Sequence, residues 1–166
     1  MRNAIVALAA VLVLGAVNWV IHARETLIAD GRAIMLELAP VDPRSLMQGD
    51  YMALRFKVLD DAFGRRPAAG IADGLLVLGV DGNGVATFRR LDDRSPLAAD
   101  EVALRYRVRG GQPRLTTDAW FFEEGRAADY AGARYGEFRV DAKGGAILTQ
   151  LRDGKLAALG GAPSPR

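Results

Sequence analysis

One short stretch of the chain concentrates polar residue types that bind ligands or partners. Asp42, Arg44, Asp50 and Tyr51 fall within ten residues, and Gly49 lies directly before Asp50. Asp-Pro and Gly-Asp pairs are typical of turns, so the plainer interpretation is a structured turn held by an Asp–Arg pair. The sharper one is a site for a polar ligand or a protein partner. In that site Arg44 and Asp50 supply polar recognition and Tyr51 supplies an amphipathic contact.

A second stretch places aromatic rings next to carboxylates. It begins with three consecutive aromatic residues, and its candidate binding residues are Glu124, Tyr130, Tyr135 and Glu137. Rings beside carboxylates can line a small-molecule pocket. They can equally be core packing behind a solvated surface, and no spacing among the carboxylates singles out an acid–base pair.

The composition excludes several kinds of chemistry. The 166 residues contain no cysteine and one histidine, His22. Thiolate nucleophiles, disulfides and cysteine-ligated metal centres are therefore excluded, and a histidine-centred triad is disfavoured. The turn at 81–84 begins like a calcium loop but lacks the later ligands, and there is no phosphate-binding glycine motif. We expect no metal and no cofactor, and we assign no catalytic residue.

The N-terminal apolar segment predicts a membrane anchor. In residues 4–21 Asn18 is the only polar residue, and a helix of that length covers about 27 Å, close to the hydrocarbon core of a bilayer. A cleaved signal peptide would need a better cleavage site than Ile21-His22-Ala23, and a buried core helix would show a polar stripe. We therefore expect a retained single-span anchor. Arg2 favours an N-inside orientation, with the bulk of the chain in a periplasm or an equivalent compartment.

The charge balance gives no support to nucleic-acid binding. The chain has 22 Lys and Arg against 20 Asp and Glu. Because Arg2 is the one charged side chain of the first 23 residues, residues 24–166 carry 21 basic and 20 acidic groups. A net charge near zero implies no basic stripe.

Beyond the anchor, alternating apolar residues predict a mainly β domain. We expect seven or eight short strands and one short helix, arranged as an antiparallel β barrel or sandwich. Two hairpins are predicted, at 75–91 and at 137–151. The predicted organisation is a membrane anchor over 1–23, a neck over 24–32, a β domain over 33–159 and a flexible tail over 160–166.

The local sequence also predicts individual strands, one helix and one loop. Alternation over 51–59 predicts one half-buried strand. Its inner side is formed by Met52, Leu54, Phe56 and Val58. Further strands are expected over 114–122 and 155–159, a short helix over 123–134, and a surface loop over 60–74.

Several segments resemble one family of bacterial proteins. Residues 49–56 read GDYMALRF and resemble the motif that gives the GDYXXLXY family its name, with Phe56 in place of the final Tyr. Leu54 and Phe56 therefore join the candidate binding residues. The stretches VDPRSL at 41–46, FFEEG at 121–125 and ARYGEFRV at 133–140 are also similar to that family. The resemblance implies a protein of unknown biochemical function, anchored in the inner membrane and periplasmic in its bulk, with another membrane protein as its partner.

Two functional hypotheses follow. The leading one is a non-enzymatic, membrane-anchored domain that binds a membrane protein or an envelope component through residues 42–56. The alternative is a hydrolase of the Ser–Lys type that resembles a degenerate signal peptidase, with Ser45 and Lys57 as its dyad. That alternative requires the hydroxyl of Ser45 to lie within hydrogen-bond reach of the Lys57 ammonium.

Overall fold

A single long helix leads into the domain. The computed structural model describes residues 2–39, 47–48, 51–64 and 70–161. Helix α1 (Arg2–Asp30) has 29 residues. Its segment Ala9–Asp30 is long and apolar enough to cross a membrane, and no residue of its apolar window is buried in the domain. Most of the expected neck is therefore a continuation of α1, which ends where the Gly31 amide donates to the Leu27 carbonyl oxygen at 3.0 Å.

The residues after α1 form a mainly β domain, which confirms the predicted fold class. The described residues contain one further short helix, α2 (Lys57–Phe63), and a 3₁₀ turn at Ala127–Tyr130. Their strands are β1 (Arg32–Glu37), β2 (Met47–Gln48), β3 (Tyr51–Ala53), β4 (Gly74–Val80), β5 (Val85–Leu91), β6 (Glu101–Arg109), β7 (Gln112–Arg114), β8 (Ala119–Phe121), β9 (Tyr135–Val140) and β10 (Ala146–Arg152).

The strands form a large sheet and a small one. The seven-stranded sheet has the order β10-β9-β1-β5-β4-β6-β7, and the three-stranded sheet has the order β2-β3-β8. Neighbouring strands are antiparallel except β1 and β5, which run parallel. The two predicted hairpins are confirmed as β4–β5 and β9–β10.

The large sheet curls until its two halves touch. The turn between β9 and β10 reaches β6, where the Arg105 amide donates to the Gly144 carbonyl oxygen at 2.8 Å. Gly144 has a φ of 79°, and a Cβ at this position would lie 2.7 Å from Leu75 Cδ2 and 3.2 Å from the Arg105 nitrogen. The close approach therefore requires glycine. The curled sheet encloses a core that includes the fully buried side chains of Ile34 and Phe138.

The predicted strand over 51–59 is wrong in its second half. The inner residues are buried as expected: Met52, Leu54, Phe56 and Val58. Strand β3 nevertheless ends at Ala53, and α2 begins at Lys57. Val58, Leu59, Ala62 and Phe63 are spaced as one face of a helix and pack on the core, so helical periodicity prevails over the alternation that precedes it. The expected loop over 60–74 consequently contains the end of α2.

Three other predicted elements are also corrected. The strand expected over 114–122 is two strands, because β7 pairs with β6 and β8 pairs with β3. The helix expected over 123–134 is reduced to the 3₁₀ turn, since Gly125 adopts a φ of 82° that a helix does not allow. The strand expected over 155–159 is a single bridge between Arg152 and Ala158.

Candidate functional site

The segment that resembles the family motif divides into an inner and an outer side. Leu54 and Phe56 are buried, and the Phe56 ring packs edge-to-face on Phe138 with the ring centroids 5.2 Å apart. Tyr51, Ala53 and Arg55 alternate with the buried residues and are exposed. Packing therefore accounts for Leu54 and Phe56, and the surface available to a partner is formed by Tyr51, Ala53 and Arg55.

An aromatic pair stands on the outer face of the small sheet. Tyr51 and Phe121 are Cα partners in the β3–β8 ladder, and their ring centroids are 5.9 Å apart. The side of Phe121 that Tyr51 does not cover faces solvent, and Phe121 keeps 74% of its surface exposed. Outside α1, no other large apolar residue in the described part of the chain is as exposed. An exposed ring held by a second ring is a typical anchor for a protein partner.

The aromatic residues of the second candidate cluster pack in the core behind this pair. Tyr130 is buried, its ring stacks on Phe122 at 5.4 Å and it meets the Trp120 ring edge-on at 6.0 Å. The Trp120 indole N–H is buried and finds no acceptor among the described residues. Glu124 is exposed and lies on the loop before the 3₁₀ turn. Core packing accounts for the position of the Tyr130 ring. The small-molecule pocket that the sequence suggested near Glu124 and Tyr130 stays a prediction.

A cleft lies at the end of β3, between the segment 53–56 and the residues that follow β7. It has a volume of about 310 Å³, and its walls include Ala53, Leu54 and Phe56 on one side and Pro113 and Leu115 on the other. Two ion pairs lie at its rim. Arg55 Nη2 lies 2.9 Å from Asp60 Oδ1, and Arg114 pairs with Asp118. We call Tyr51, Phe121 and this cleft the motif surface.

Tyr135 and Glu137, the other candidates, lie on β9 within a separate polar cluster. Arg152 Nε donates to Glu137 Oε2 at 2.6 Å. Tyr135 is the Cα partner of Glu37, whose carboxylate accepts a hydrogen bond from Lys57 Nζ at 2.9 Å. Glu137 is thus engaged in an ion pair, and a binding role for Tyr135 and Glu137 stays a prediction.

The environment of Lys57 disfavours the Ser–Lys alternative. The hydrogen bond that Lys57 donates to Glu37, and the charge of that carboxylate, hold the pKa of Lys57 above its ordinary value. A lysine that serves as a general base needs a pKa lowered toward neutrality by burial or by neighbouring cations. Ser45 lies outside the described residues, so the distance within the proposed dyad stays a prediction.

Four further candidates also lie outside the described residues. They are Asp42, Arg44, Gly49 and Asp50. Among the residues that the structure describes, no group of three or more His, Cys, Asp or Glu side chains is placed to hold a metal ion.

Sequence reasoning did not single out Phe121. The sequence did contain an indication of an exposed ring here, because three consecutive aromatic residues on a strand cannot all point to the same side. The structure turns Trp120 and Phe122 toward the core and Phe121 outward.

These features define a class of protein: a mainly β domain with a curled sheet, carried on a helix that is a candidate membrane span. The chain belongs to the GDYXXLXY family, since the model of that family, described as GDYXXLXY protein, matches residues 13–151. The resemblance noted in the sequence is thereby confirmed over most of the chain. No curated protein and no solved structure matches this chain.

Proposed function

We propose that this protein is a membrane-anchored binding module whose motif surface contacts another membrane protein. The observation that carries the proposal is the exposure of Phe121 beside Tyr51, a residue of the motif itself. Core packing accounts for Leu54 and Phe56, but it does not account for a large apolar ring left 74% exposed.

The secondary structure around the pair supports the same proposal. Strand β8 lies at the edge of the small sheet. An edge strand presents backbone N–H and C=O groups to which an extended segment of a partner can add. The aromatic pair would then supply apolar anchoring, and the ion pairs at the cleft rim would supply a polar border.

The candidate membrane span supports a partner in the same membrane. A domain tethered by α1 shares a thin layer with other membrane proteins, which raises their effective concentration. A modest surface such as one aromatic pair with a cleft can then give stable association. The extracytoplasmic side of the membrane remains part of the proposal, on the basis of Arg2.

Site-specific photo-cross-linking of the full chain in native membranes tests the proposal. A photoreactive phenylalanine replaces Phe121 in one variant and Leu91, an exposed apolar residue of the large sheet, in the matched control. We expect Phe121 to give a discrete adduct with an integral membrane protein and Leu91 to give none. Adding Tyr51→Ala should reduce the adduct by at least about fivefold, because an aromatic anchor contributes more than about 1 kcal/mol.

Two results would contradict the proposal. One is the absence of a Phe121 adduct in a chain whose folding is verified by circular dichroism. The other is an identical set of adducts from both positions, since that pattern would reflect random collision in the membrane.

A further inference from the structure

A groove between α1 and the curled sheet is lined by positive charge. Its volume is about 720 Å³. Six of its lining side chains are cationic and two, Asp118 and Asp141, are acidic. The six are Arg24, Arg105, Arg107, Arg109, Arg114 and Lys143. We call this feature the basic groove.

The two carboxylates leave most of this charge unbalanced. Asp118 pairs with Arg114, and Asp141 Oδ1 accepts the backbone N–H groups of Lys143 and Gly145 at 2.7 and 2.8 Å. Within the described part of the chain, no carboxylate oxygen lies within 4.0 Å of the guanidinium nitrogens of Arg107 or Arg109.

The arrangement of the arginines opposes folding. Arg105, Arg107 and Arg109 alternate along the outer face of β6, and Arg107 is the Cα partner of Arg114 on β7. Like charges directly opposite each other in a sheet destabilise it. Asp118 offsets the charge of Arg114, but the three arginines on one face of β6 favour an anionic ligand that the described residues do not supply.

The groove opens at a depth where such a ligand is abundant. Ala23, Arg24 and Leu27 of α1 form one of its walls. Arg24 lies three residues beyond Ile21, the end of the uncharged apolar run, and Leu27 six residues beyond it. If the hydrocarbon core ends with the uncharged run at Ile21, a rise of 1.5 Å per residue puts these positions about 4.5 and 9 Å beyond it, at the depth of the lipid headgroups.

We propose that the basic groove binds the phosphate groups of anionic lipid headgroups in the membrane that α1 spans. Guanidinium groups suit this role because they bind phosphate in a bidentate manner and are weakly hydrated. Binding would hold the outer face of β6 against the bilayer and fix the orientation of the β domain. The proposal depends on α1 crossing the membrane. The basic groove shares Arg114, Leu115 and Asp118 with the motif surface, but Arg107 and Arg109 belong to the groove alone.

Lipid retention by the full chain tests this inference. The protein is reconstituted in nanodiscs of equal parts phosphatidylglycerol and phosphatidylcholine, and the lipids that stay bound after release are counted by native mass spectrometry. We expect clear enrichment of phosphatidylglycerol. The variant Arg107→Gln with Arg109→Gln should lower the enrichment by roughly tenfold or more, because each basic residue near an anionic surface contributes substantially to binding.

A matched variant controls for the change in charge. Arg134→Gln with Lys155→Gln removes two positive charges from exposed positions outside the groove lining and should leave the enrichment unchanged. Equal lipid ratios in all three proteins, or enrichment that survives the groove variant, would overturn the proposal. So would loss of enrichment on adding inorganic phosphate or polyglutamate at constant ionic strength, because the groove would then prefer a soluble phosphate or an acidic protein.

The test also separates this inference from the membrane anchor. A chain whose α1 does not insert would be absent from the nanodiscs altogether. A chain that inserts without selecting phosphatidylglycerol would contradict the basic groove and leave the anchor and the motif surface standing.

Discussion

Two phenylalanines, one in each sheet of this domain, are placed in opposite ways. In the large sheet, Phe138 is fully buried and packs edge-to-face on Phe56. In the small sheet, Phe121 is also held by a ring, that of Tyr51, yet it projects from the surface. Both side chains are phenylalanines, so their different exposure reflects position: Phe138 lies inside the curled sheet and Phe121 on the outer face of the small sheet.

That contrast indicates a division of roles. Burial of a large aromatic side chain stabilises the fold, whereas its exposure contributes little to folding and leaves apolar surface for a partner. The motif segment links the two roles, because Phe56 contributes to the core of the large sheet and Tyr51 to the surface of the small one.

Replacing Phe138 and Phe121 by alanine, one at a time, tests this difference in roles most directly. Phe138→Ala should lower the free energy of unfolding by about 3–5 kcal/mol, because it removes a buried ring and leaves a cavity. Phe121→Ala should change it by less than about 0.5 kcal/mol, as exposed substitutions do. Urea unfolding of the detergent-solubilised chain, followed by circular dichroism, measures both. Similar losses for the two variants would show that Phe121 is a folding residue and would remove the basis for a partner surface.

Two glycines test whether the large sheet needs the contact between the β9–β10 turn and β6. Gly144 and Gly125 both have φ near 80°, but a Cβ would collide with Leu75 and the β6 backbone at Gly144 and would meet nothing within 4 Å at Gly125. Both alanine variants carry the strain of a positive φ. Only Gly144→Ala should cost a further 1–3 kcal/mol or so, from overpacking.

The same unfolding measurement gives the difference between these two variants. Equal costs would mean that the turn moves away from β6 without penalty, and that the sheet does not need this contact to stay curled.

Local patterns of the sequence predict much of the large sheet and little of the small one. Alternation and turn residues suffice for β4–β5 and β9–β10, whose partners are adjacent in the chain. Strand β3 instead pairs with β8, nearly seventy residues away, and each has three residues. Both lie inside longer predicted strands, over 51–59 and 114–122, so alternation located them but did not give their short bounds. Their pairing is decided by tertiary packing.

The candidate site follows the same rule. Tyr51 was predictable as an outward residue of a strand, but its contact with Phe121 depends on the β3–β8 pairing. The basic groove was missed because the chain is nearly neutral overall, and its cations come from α1, β6, β7 and the β9–β10 turn. Composition reports the sum of charges, and only the fold reveals where they gather.

The smallest expected effect concerns two arginines that lie opposite each other in the large sheet. Arg107→Gln removes a positive charge opposite Arg114, so it should raise the free energy of unfolding by about 0.2–0.5 kcal/mol in detergent without anionic lipid. Arg134→Gln, an exposed arginine outside the groove lining, is the control and should have no such effect. If Arg107→Gln lowers the stability, Arg107 contributes to the fold as the rest of the sheet does. A gain in stability together with weaker lipid retention would instead mean that the charge is kept for binding, as expected where function and stability conflict.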